Sequence, residues 1–176
     1  MTFPFARLLV RPVLLRAGAV LVLGARLDAD SRFGSFTSPR LALRHDPTAD
    51  WALQAAVGRG FRAPEFTEML LLFENPSAGY RVVGDPGLSP ERAWTADAGV
   101  TWRPRRRLEL KLNAFATRVS DLIQVAAEGA PAPGAPQTFR YANLAAALTA
   151  GAEAQARVSG RYGWVGAGYT YTHARD

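Results

Sequence analysis

The sequence contains no cysteine, and this absence excludes disulfide bridges, thiolate metal sites and a cysteine nucleophile. Lysine is almost absent, with Lys111 as its single example, so nearly all of the positive charge is carried by arginine. No uninterrupted apolar run reaches the roughly 20 residues that a membrane-spanning helix needs. The 176 residues are nevertheless enough for one ordinary domain with its own core.

Acidic residues are fewer than basic ones. The 15 aspartates and glutamates against 21 lysines and arginines give a net charge of +6. A basic balance often indicates a polyanionic partner. Here the arginines are scattered through turns and predicted strands, and only Arg105, Arg106 and Arg107 form a compact cluster, at a tight turn. Because nucleic-acid binding requires a continuous basic patch, we predict no nucleic-acid partner.

Signals for an enzyme are weak. His45 and His173 are isolated at predicted strand ends, so the sequence predicts no catalytic triad, no metal site and no cofactor. The stretch Gly58–Ala63 has the GxGxxA spacing of a dinucleotide-binding turn, which needs a helix and a parallel βαβ unit after it. Pro64 and the later turn residues leave space for only a short helix. We therefore predict that the protein is not an enzyme.

The first 17 residues are an uncertain N-terminal segment. Two arginines precede an apolar core that ends near Ala25, an arrangement that imitates a secretory signal peptide. Arg16 interrupts this core, and beyond it the apolar residues continue in alternation, which favours a strand. We assign residues 18–176 to the folded part of the chain.

From Gly18 onward apolar and polar residues alternate with a period of two, which predicts β-strands. One face of each predicted strand is apolar, whereas the opposite face carries charged side chains such as Asp97, Glu109 and Lys111. The sequence thus predicts an all-β fold of about seven antiparallel strands. They centre on Leu21–Leu27, Leu41–His45, Trp51–Gly58, Arg92–Trp102, Leu108–Thr117, Phe139–Val158 and Val165–Thr172.

The connections between these strands are predicted to be long after the first, third and fifth and short after the others. Outer-membrane barrels have this asymmetry, with long extracellular loops and short periplasmic turns. Trp51, Trp94 and Trp102 lie towards strand ends on the apolar face, where an interfacial aromatic girdle is expected. A soluble β-sandwich or β-barrel binding module without transport alternates equally well and is the alternative.

The stretch from Gly58 to Glu91 contains two motifs. GFRAPEFTEML, residues Gly60–Leu70, resembles the FRAP box of TonB-dependent outer-membrane receptors, which commonly have a glutamate at the spacing of Glu68. GDPGLSPE, residues Gly84–Glu91, resembles the companion GNPxLxPE box, with Asp85 in place of the usual asparagine. Segments upstream and downstream are also similar to this family, so the resemblance covers nearly the whole chain.

The resemblance implies part of a TonB-dependent receptor: an antiparallel transmembrane β-barrel segment in the outer membrane of a Gram-negative cell. Such receptors take up a scarce ligand, commonly a ferric siderophore, haem or cobalamin, when the TonB complex pulls on a plug domain inside the barrel. Neither a plug nor closing strands can be recognised in residues 18–176. We therefore expect a fragment that contacts outer-membrane lipid, meets the TonB complex only through the missing plug, and does not transport alone.

Five residues of the stretch are candidates for shaping the loop or the mouth of the receptor. Arg62 is placed to pair with Glu68 or Glu91 and so to hold the two ends of the loop together, and Pro64 can begin a helical turn. A tyrosine is a possible haem iron ligand, although a rim aromatic explains it as well, and no histidine lies between Pro64 and Gly84. The candidates are Arg62, Glu68, Tyr80, Asp85 and Glu91.

Overall fold

The computed structural model describes residues 11–15, 18–144 and 146–175. Most of the uncertain N-terminal segment, namely residues 1–10, 16 and 17, lies outside the described residues, as do residues 145 and 176. Within that segment Arg11–Leu15 forms a strand that pairs with the next one, in keeping with the alternation that favoured a strand.

The described residues are almost entirely β-structure, with one short α-helix and one 3₁₀ turn. No helix among them is long and apolar enough to cross a membrane. The elements in chain order are β1 (Arg11–Leu15), β2 (Ala19–Asp30), β3 (Gly34–Thr48), β4 (Trp51–Arg62), α1 (Phe66–Leu70), β5 (Leu72–Asn75), the 3₁₀ turn (Pro76–Ala78), β6 (Tyr80–Val83), β7 (Glu91–Arg105), β8 (Leu108–Ser120), β9 (Ile123–Ala127), β10 (Gln137–Asn143), β11 (Ala146–Ser159) and β12 (Trp164–Arg175).

These strands form two sheets within the described residues. The larger has eight strands in the order β1-β2-β3-β4-β7-β8-β11-β12, and the smaller has four in the order β5-β6-β10-β9. The chain divides into two compact units. The first unit comprises the described parts of Met1–Gly60, Ala93–Arg118 and Leu148–Asp176, and the second comprises Phe61–Arg92 and Val119–Ala147.

The large sheet has one apolar face. Leu21 lies opposite Leu43 and Leu23 opposite Leu41, and Leu41 in turn lies opposite Val57, so the alternation of neighbouring strands is in register. Many of these side chains are exposed, including Leu23 at 47% and Leu41 at 40%. A continuous exposed apolar band of this kind is what lipid covers on an outer-membrane barrel.

The other face of the large sheet is polar, as the alternation predicts. One open cavity on it is lined by Asp97, Lys111 and Glu153 together with the amides of Gln54 and Asn113. Charged and amide side chains from strands that are distant in sequence therefore share one surface, and the sheet separates an apolar side from a hydrophilic one.

The prediction of a long connection after the first strand is wrong. β2 and β3 are joined by a tight turn at residues 31–33, and the polar residues around it continue the two strands. The carboxylate of Asp30 accepts hydrogen bonds from the backbone N–H groups of Arg32 and Phe33, at 2.7 and 2.9 Å. An aspartate that bonds the backbone two residues further on is typical of tight turns, and here it replaces a loop.

The short connections lie at 49–50, 106–107 and 160–163. The turn predicted at Asp46–Thr48 falls inside β3, which has an irregular register at that point before it pairs Thr48 with Trp51.

At this end of the sheet the rings of Trp51 and Trp102 stack with their centroids 5.4 Å apart. Large aromatic side chains at strand ends on the apolar face match the girdle of a membrane barrel.

The predicted sixth strand, Phe139–Val158, is wrong as a single element. Its first part is β10, which pairs with β6 and β9 in the small sheet, and its second part is β11, which belongs to the large sheet. The break follows Asn143, and the backbone N–H of Leu144 donates to the carbonyl of Leu122 at 2.7 Å. The prediction failed because period-two alternation does not reveal which partner a strand chooses.

The small sheet was not predicted at all. Its β5 and β6 are four residues each and form a hairpin around the 3₁₀ turn Pro76–Ala78. Asn75 begins this turn by accepting a hydrogen bond from the N–H of Ala78, and Gly79 ends it at φ 69°, a conformation that glycine adopts without strain. Strands this short hold too few alternating positions to be recognised from sequence. The stretch Gly58–Glu91 is thus an ordered loop, as expected, and β4 extends into it as far as Arg62.

Candidate functional site in the loop unit

A shared guanidinium joins the two predicted motifs in the second unit. Nε and Nη2 of Arg62 donate to the two carboxylate oxygens of Glu91 at 2.8 and 2.7 Å. Nη1 and Nη2 donate to the two oxygens of Glu68, both at 3.0 Å. Arg62 therefore pairs with both predicted partners at once. Arg62 ends β4 and Glu91 begins β7, so this contact closes the base of the loop between them.

Glu68 is also fixed by its own helix. The predicted helical turn is present as α1, but Pro64 precedes the N-cap Glu65 and does not occupy the predicted first helical position. The carboxylate of Glu68, in the first turn, accepts a hydrogen bond from the backbone N–H of Glu65 at 2.7 Å. A glutamate at this position satisfies a backbone donor that the helix leaves unpaired. Glu68 therefore couples the start of α1 to Arg62.

Glu91 makes a third contact that sequence reasoning did not find. Its Oε1 accepts a hydrogen bond from the backbone N–H of Ile123, a buried residue at the start of β9, at 2.8 Å. The hydrogen bonds from Arg62 are the largest influence on the pKa of Glu91, and with the Ile123 N–H they hold it below its ordinary value of 4.5 against the opposing effect of burial. In return, both glutamates raise the pKa of Arg62. All three residues belong to the second unit.

Asn143 ties the same two chain segments together a few residues away. Its Oδ1 accepts from the N–H of Ser89 at 2.8 Å, and its Nδ2 donates to the carbonyls of Ser89 at 2.9 Å and Asp121 at 2.6 Å. Asp121 has a φ of 59°, which is uncommon for a residue other than glycine. We call Arg62, Glu68, Glu91 and Asn143 the loop clamp. Nothing in the local sequence of Asn143 predicts these partners.

Asp85 shapes a backbone turn beside the loop clamp. Its Oδ1 accepts from the N–H of Gly87 at 2.7 Å, and its own N–H donates to the carbonyl of Glu68 at 3.0 Å. An asparagine would offer the same side-chain acceptor, so the aspartate found in this box preserves the turn. The turn also brings Leu88 into a buried position at 4% exposure.

Tyr80 lies in a separate aromatic group of the small sheet. Its ring is 6.1 Å from that of Phe73 and 6.3 Å from that of Phe139, the latter edge to face, a favourable arrangement for aromatic pairs. The structure therefore brings Arg62, Glu68 and Glu91 together but places Tyr80 apart from them. Within the described ranges, no three acidic or histidine side chains are grouped so as to hold a metal ion.

Replacing Asn143 with aspartate is expected to loosen the junction between residues 88–90 and 121–123. The variant keeps the acceptor for the Ser89 N–H but sets a carboxylate oxygen against the carbonyls of Ser89 and Asp121. Because a hydrogen bond contributes about 1 kcal/mol and both bonds from Nδ2 would be lost at this half-buried side chain, we expect about 1–2 kcal/mol of local destabilisation. Amide hydrogen exchange of Ser89 and Ile123 measures it, and unchanged protection in the aspartate variant would contradict the assignment.

Acidification is expected to open the loop clamp at Glu91. Because the folded pKa of Glu91 is below 4.5, its contribution to stability is complete above that pH and is lost as the pH falls through the lower folded value. Protection of the Ile123 amide should therefore fall below about pH 4.5, once intrinsic exchange rates are taken into account. The variant Glu91→Gln should be less protected at neutral pH and should lose most of this pH dependence; a profile identical to the wild type would rule out Glu91 as the titrating group.

An amphipathic antiparallel sheet with short turns at 49–50, 106–107 and 160–163, together with a long, folded connection between β4 and β7, is typical of an outer-membrane β-barrel of the receptor type. The family described as "TonB dependent receptor-like, beta-barrel" matches residues 17–176. The chain belongs to this family, and with it to the outer-membrane β-barrel proteins. The membership decides against the soluble sandwich or binding module.

Individual relatives agree with this membership. The chain is 32% identical over 166 residues to the iron-regulated outer membrane virulence protein of Vibrio cholerae, covering 89% of this chain and 25% of that protein. It is 27% identical over 120 residues to the vitamin B12 transporter BtuB of Vibrio vulnificus, covering 68% and 18%. The crystal structure of the siderophore receptor PirA from Pseudomonas aeruginosa shares the fold with a TM-score of 0.80 at 23% identity, covering 93% of this chain and 32% of PirA. The chain thus spans about a quarter of the length of its first curated relatives.

Proposed function

We propose that this chain is the loop-bearing barrel segment of a receptor that imports a ferric siderophore across the outer membrane. The observation that carries the proposal is the family membership of residues 17–176 together with 32% identity to an iron-regulated outer-membrane protein. The receptors of this family are transport proteins, and an enzymatic reaction forms no part of the proposal. In the full receptor, the TonB complex acts through a plug domain that occupies the barrel.

The loop clamp supports a role in forming the receptor mouth. Arg62 contacts both Glu68 and Glu91, and all four of their carboxylate oxygens accept a hydrogen bond from its guanidinium group. Side chains that are paired in this way fix backbone positions, so we assign them to loop shaping and place ligand contact on other residues. The same holds for Asp85, which caps its own turn. A rigid loop base reduces the entropy lost when a ligand is bound.

The aromatic group of the small sheet is our candidate for ligand contact. Phe73 is 45% exposed and Tyr80 is half-buried beside it, so the group offers an accessible aromatic surface. Aromatic surfaces of this kind pack well against the planar rings found in many iron chelators, and they supply contact area at low conformational cost.

Growth and uptake assays on the receptor that contains this chain test the proposed function. The gene is expressed in a Gram-negative strain that lacks its own siderophore receptors, and uptake of radioactive iron is measured with catecholate and hydroxamate siderophores in turn. We expect uptake of at least one ferric siderophore, and its loss in a matched strain without TonB. Absence of iron uptake with every siderophore, although the receptor is present in the outer membrane, would refute the proposal.

Cobalamin is the second candidate ligand, because the chain is also similar to a vitamin B12 transporter. Radioactive cobalamin is therefore supplied to the same strains, and uptake of cobalamin without iron uptake would favour it. Haem is tested in the same way with the variant Tyr80→Phe, which keeps the aromatic ring and removes the oxygen that could bind iron. Haem-dependent growth that requires the Tyr80 hydroxyl would favour haem over both other ligands.

A further inference from the structure

Two arginines flank a tryptophan on the apolar face of the large sheet, at the strand ends away from the short turns. Arg59 lies on β4, Trp94 on β7 and Arg118 on β8, and these three strands are neighbours in the sheet. All three side chains are exposed. We call these residues the arginine–tryptophan patch. The proposed transport function does not use them.

Direct contacts show the face on which Arg59 and Trp94 lie. Trp94 lines an open cavity together with Leu23, Leu41 and Val57, which belong to the apolar band. The guanidinium carbon of Arg59 lies 6.0 Å from the centroid of the Trp94 ring. A cation over an aromatic ring at this distance is attracted by the ring electrons. The charge of Arg59 is therefore held on the apolar face, above the tryptophan.

Arg118 reaches the same level from the other side of Trp94. A Cβ atom added to Gly99 of β7 would lie 2.8 Å from Oδ1 of Asn113 on β8, so these two positions are neighbours, and both line the polar face. Five residues further from the short turn, the two strands carry Trp94 and Arg118. An odd number of residues moves a side chain to the opposite face of a sheet. Both side chains therefore lie on the apolar face, on adjacent strands.

The two tryptophans of β7 give the depth of the patch. Trp94 and Trp102 are eight residues apart, which is about 26 Å along the strand at about 3.3 Å per residue, or about 20 Å along the membrane normal at a tilt of about 40°. The apolar band of an outer-membrane barrel is about 25 Å tall and has an aromatic girdle at each border. Trp102 stacks on Trp51 at the border near the short turns, which are periplasmic in such barrels. Trp94 and the two arginines therefore lie at the border of the outer leaflet.

No carboxylate neutralises the patch. Among the residues that the structure describes, neither Arg59 nor Arg118 forms an ion pair. A basic side chain near the surface of an anionic membrane is attracted to the lipid head groups. A guanidinium group also matches phosphate oxygens in a bidentate arrangement and is more weakly hydrated than an ammonium group. The chemistry of the patch thus favours phosphate groups of the lipid.

We infer that the arginine–tryptophan patch binds lipid A, the phosphorylated glycolipid of the outer leaflet. Lipid A carries a phosphate at each end of a disaccharide. β4 and β8 are the two neighbours of β7, so the backbones of Arg59 and Arg118 are about 10 Å apart, at about 4.8 Å per strand, and each arginine can meet one phosphate. The apolar cavity beside Trp94, with a volume of about 610 Å³, is then open to an acyl chain. This binding does not depend on which ligand the receptor transports.

Titration of the purified receptor with lipid A, followed by native mass spectrometry in a neutral detergent, tests the inference. The receptor that contains this chain is compared with its variant R59Q/R118Q. A basic residue near an anionic membrane surface contributes about a fivefold change in affinity, so we expect the double variant to bind lipid A at least about tenfold more weakly. Equal binding of lipid A by both proteins would overturn the inference.

The chemistry of the added lipid separates the phosphate contacts from the acyl contacts. Lipid A without its phosphates should bind the wild type at least about tenfold more weakly than phosphorylated lipid A and should not distinguish R59Q/R118Q from the wild type. Equal affinity for phosphatidylglycerol, which has one phosphate, would show a general anionic surface and would overturn the assignment to lipid A. Displacement of lipid A by millimolar inorganic phosphate would show a site for free anions and would overturn it as well.

A matched control removes the same charge from the other end of the sheet. The variant R105Q/R106Q also replaces two exposed arginines, at the short turn between β7 and β8, and we expect it to bind lipid A within about threefold of the wild type. An equal loss in both double variants would indicate a response to net charge alone and would overturn the assignment to the patch.

Folding is checked by heat-modifiable gel mobility before any lipid is added. If R59Q/R118Q does not fold, the charge-conserving variant R59K/R118K and the single variant R118Q take its place. We expect the lysine variant to retain binding within about threefold and R118Q to lose about fivefold. An unaffected R118Q, together with lipid A binding that does not weaken as salt is raised, would refute the inference.

Discussion

Removing the charge of Arg62 is expected to open the base of the loop between β4 and β7. The variant Arg62→Met keeps an apolar stem of similar length but leaves Glu68 and Glu91 facing each other without a cation. Breaking a buried pair by deleting one partner costs about 3–5 kcal/mol. The Arg62 side chain is 40% exposed, so water screens part of the interaction. We therefore expect about 2 kcal/mol of local destabilisation.

Amide hydrogen exchange of the receptor in detergent measures this loss residue by residue. Exchange should accelerate in α1 and at Ile123, which share acceptors with Arg62 through Glu68 and Glu91. The matched control is Arg44→Met, because Arg44 pairs with Asp46 at 3.0 Å where both side chains are about half exposed. Such pairs contribute at most about 1 kcal/mol. If both variants exchange like the wild type, the loop clamp does not order the loop.

Alanine at Gly84 is expected to destabilise the loop more strongly still. A Cβ atom there would lie 2.5 Å from the carbonyl carbon of Met69, 2.6 Å from the nitrogen of Leu70 and 2.8 Å from that of Leu71. All three atoms belong to the backbone around the end of α1, so no flexible side chain can give way. The hydrogen bond from the Gly84 N–H to the carbonyl of Leu71, 2.7 Å long, would be lost as well.

The expected cost of Gly84→Ala is about 3 kcal/mol, from overpacking of about 1–3 kcal/mol and loss of a buried hydrogen bond of about 1 kcal/mol. Limited proteolysis of residues 63–90 in the folded receptor measures it, and we expect cleavage to become much faster. Gly60→Ala is the control, because an added Cβ at Gly60 meets no atom within 4 Å. Equal cleavage rates for the two variants would show that the contact at Gly84 is relieved at little cost.

The transmembrane part of the fold could be predicted from sequence because its signal is local and repeated. Leu21–Leu27 or Trp94–Trp102 alternate over enough positions to fix both the strand and its apolar face. Two apolar stripes in register then identify neighbouring strands, as with Leu41 and Val57. The same reasoning failed after β2, where one aspartate, Asp30, converts a polar stretch into a tight turn.

The loop clamp was predicted in part, for an identifiable reason. Arg62 and Glu68 are six residues apart on either side of a proline, and Glu91 lies in the companion motif, so sequence alone suggested a pair between them. The third contact of Glu91, to the backbone of Ile123, cannot be predicted from residue types, because every residue except proline has a backbone N–H that could donate. Asn143 is equally hidden, since its partners are backbone groups of Ser89 and Asp121.

By itself the sequence determined an amphipathic antiparallel barrel segment, two motifs and their family, because period-two alternation and motif spacing are properties of the chain read in order. Only the tertiary structure decided that Phe139–Val158 divides between two sheets, that Leu72–Asn75 and Tyr80–Val83 pair, and that one guanidinium holds two carboxylates. The strand pairings depend on which backbone donors and acceptors meet across long sequence separations, and the pairing of Arg62 with both carboxylates depends on the same fold, which brings Glu68 and Glu91 to one side chain. Backbone groups are chemically alike at nearly every residue, so their partners are chosen by the fold as a whole.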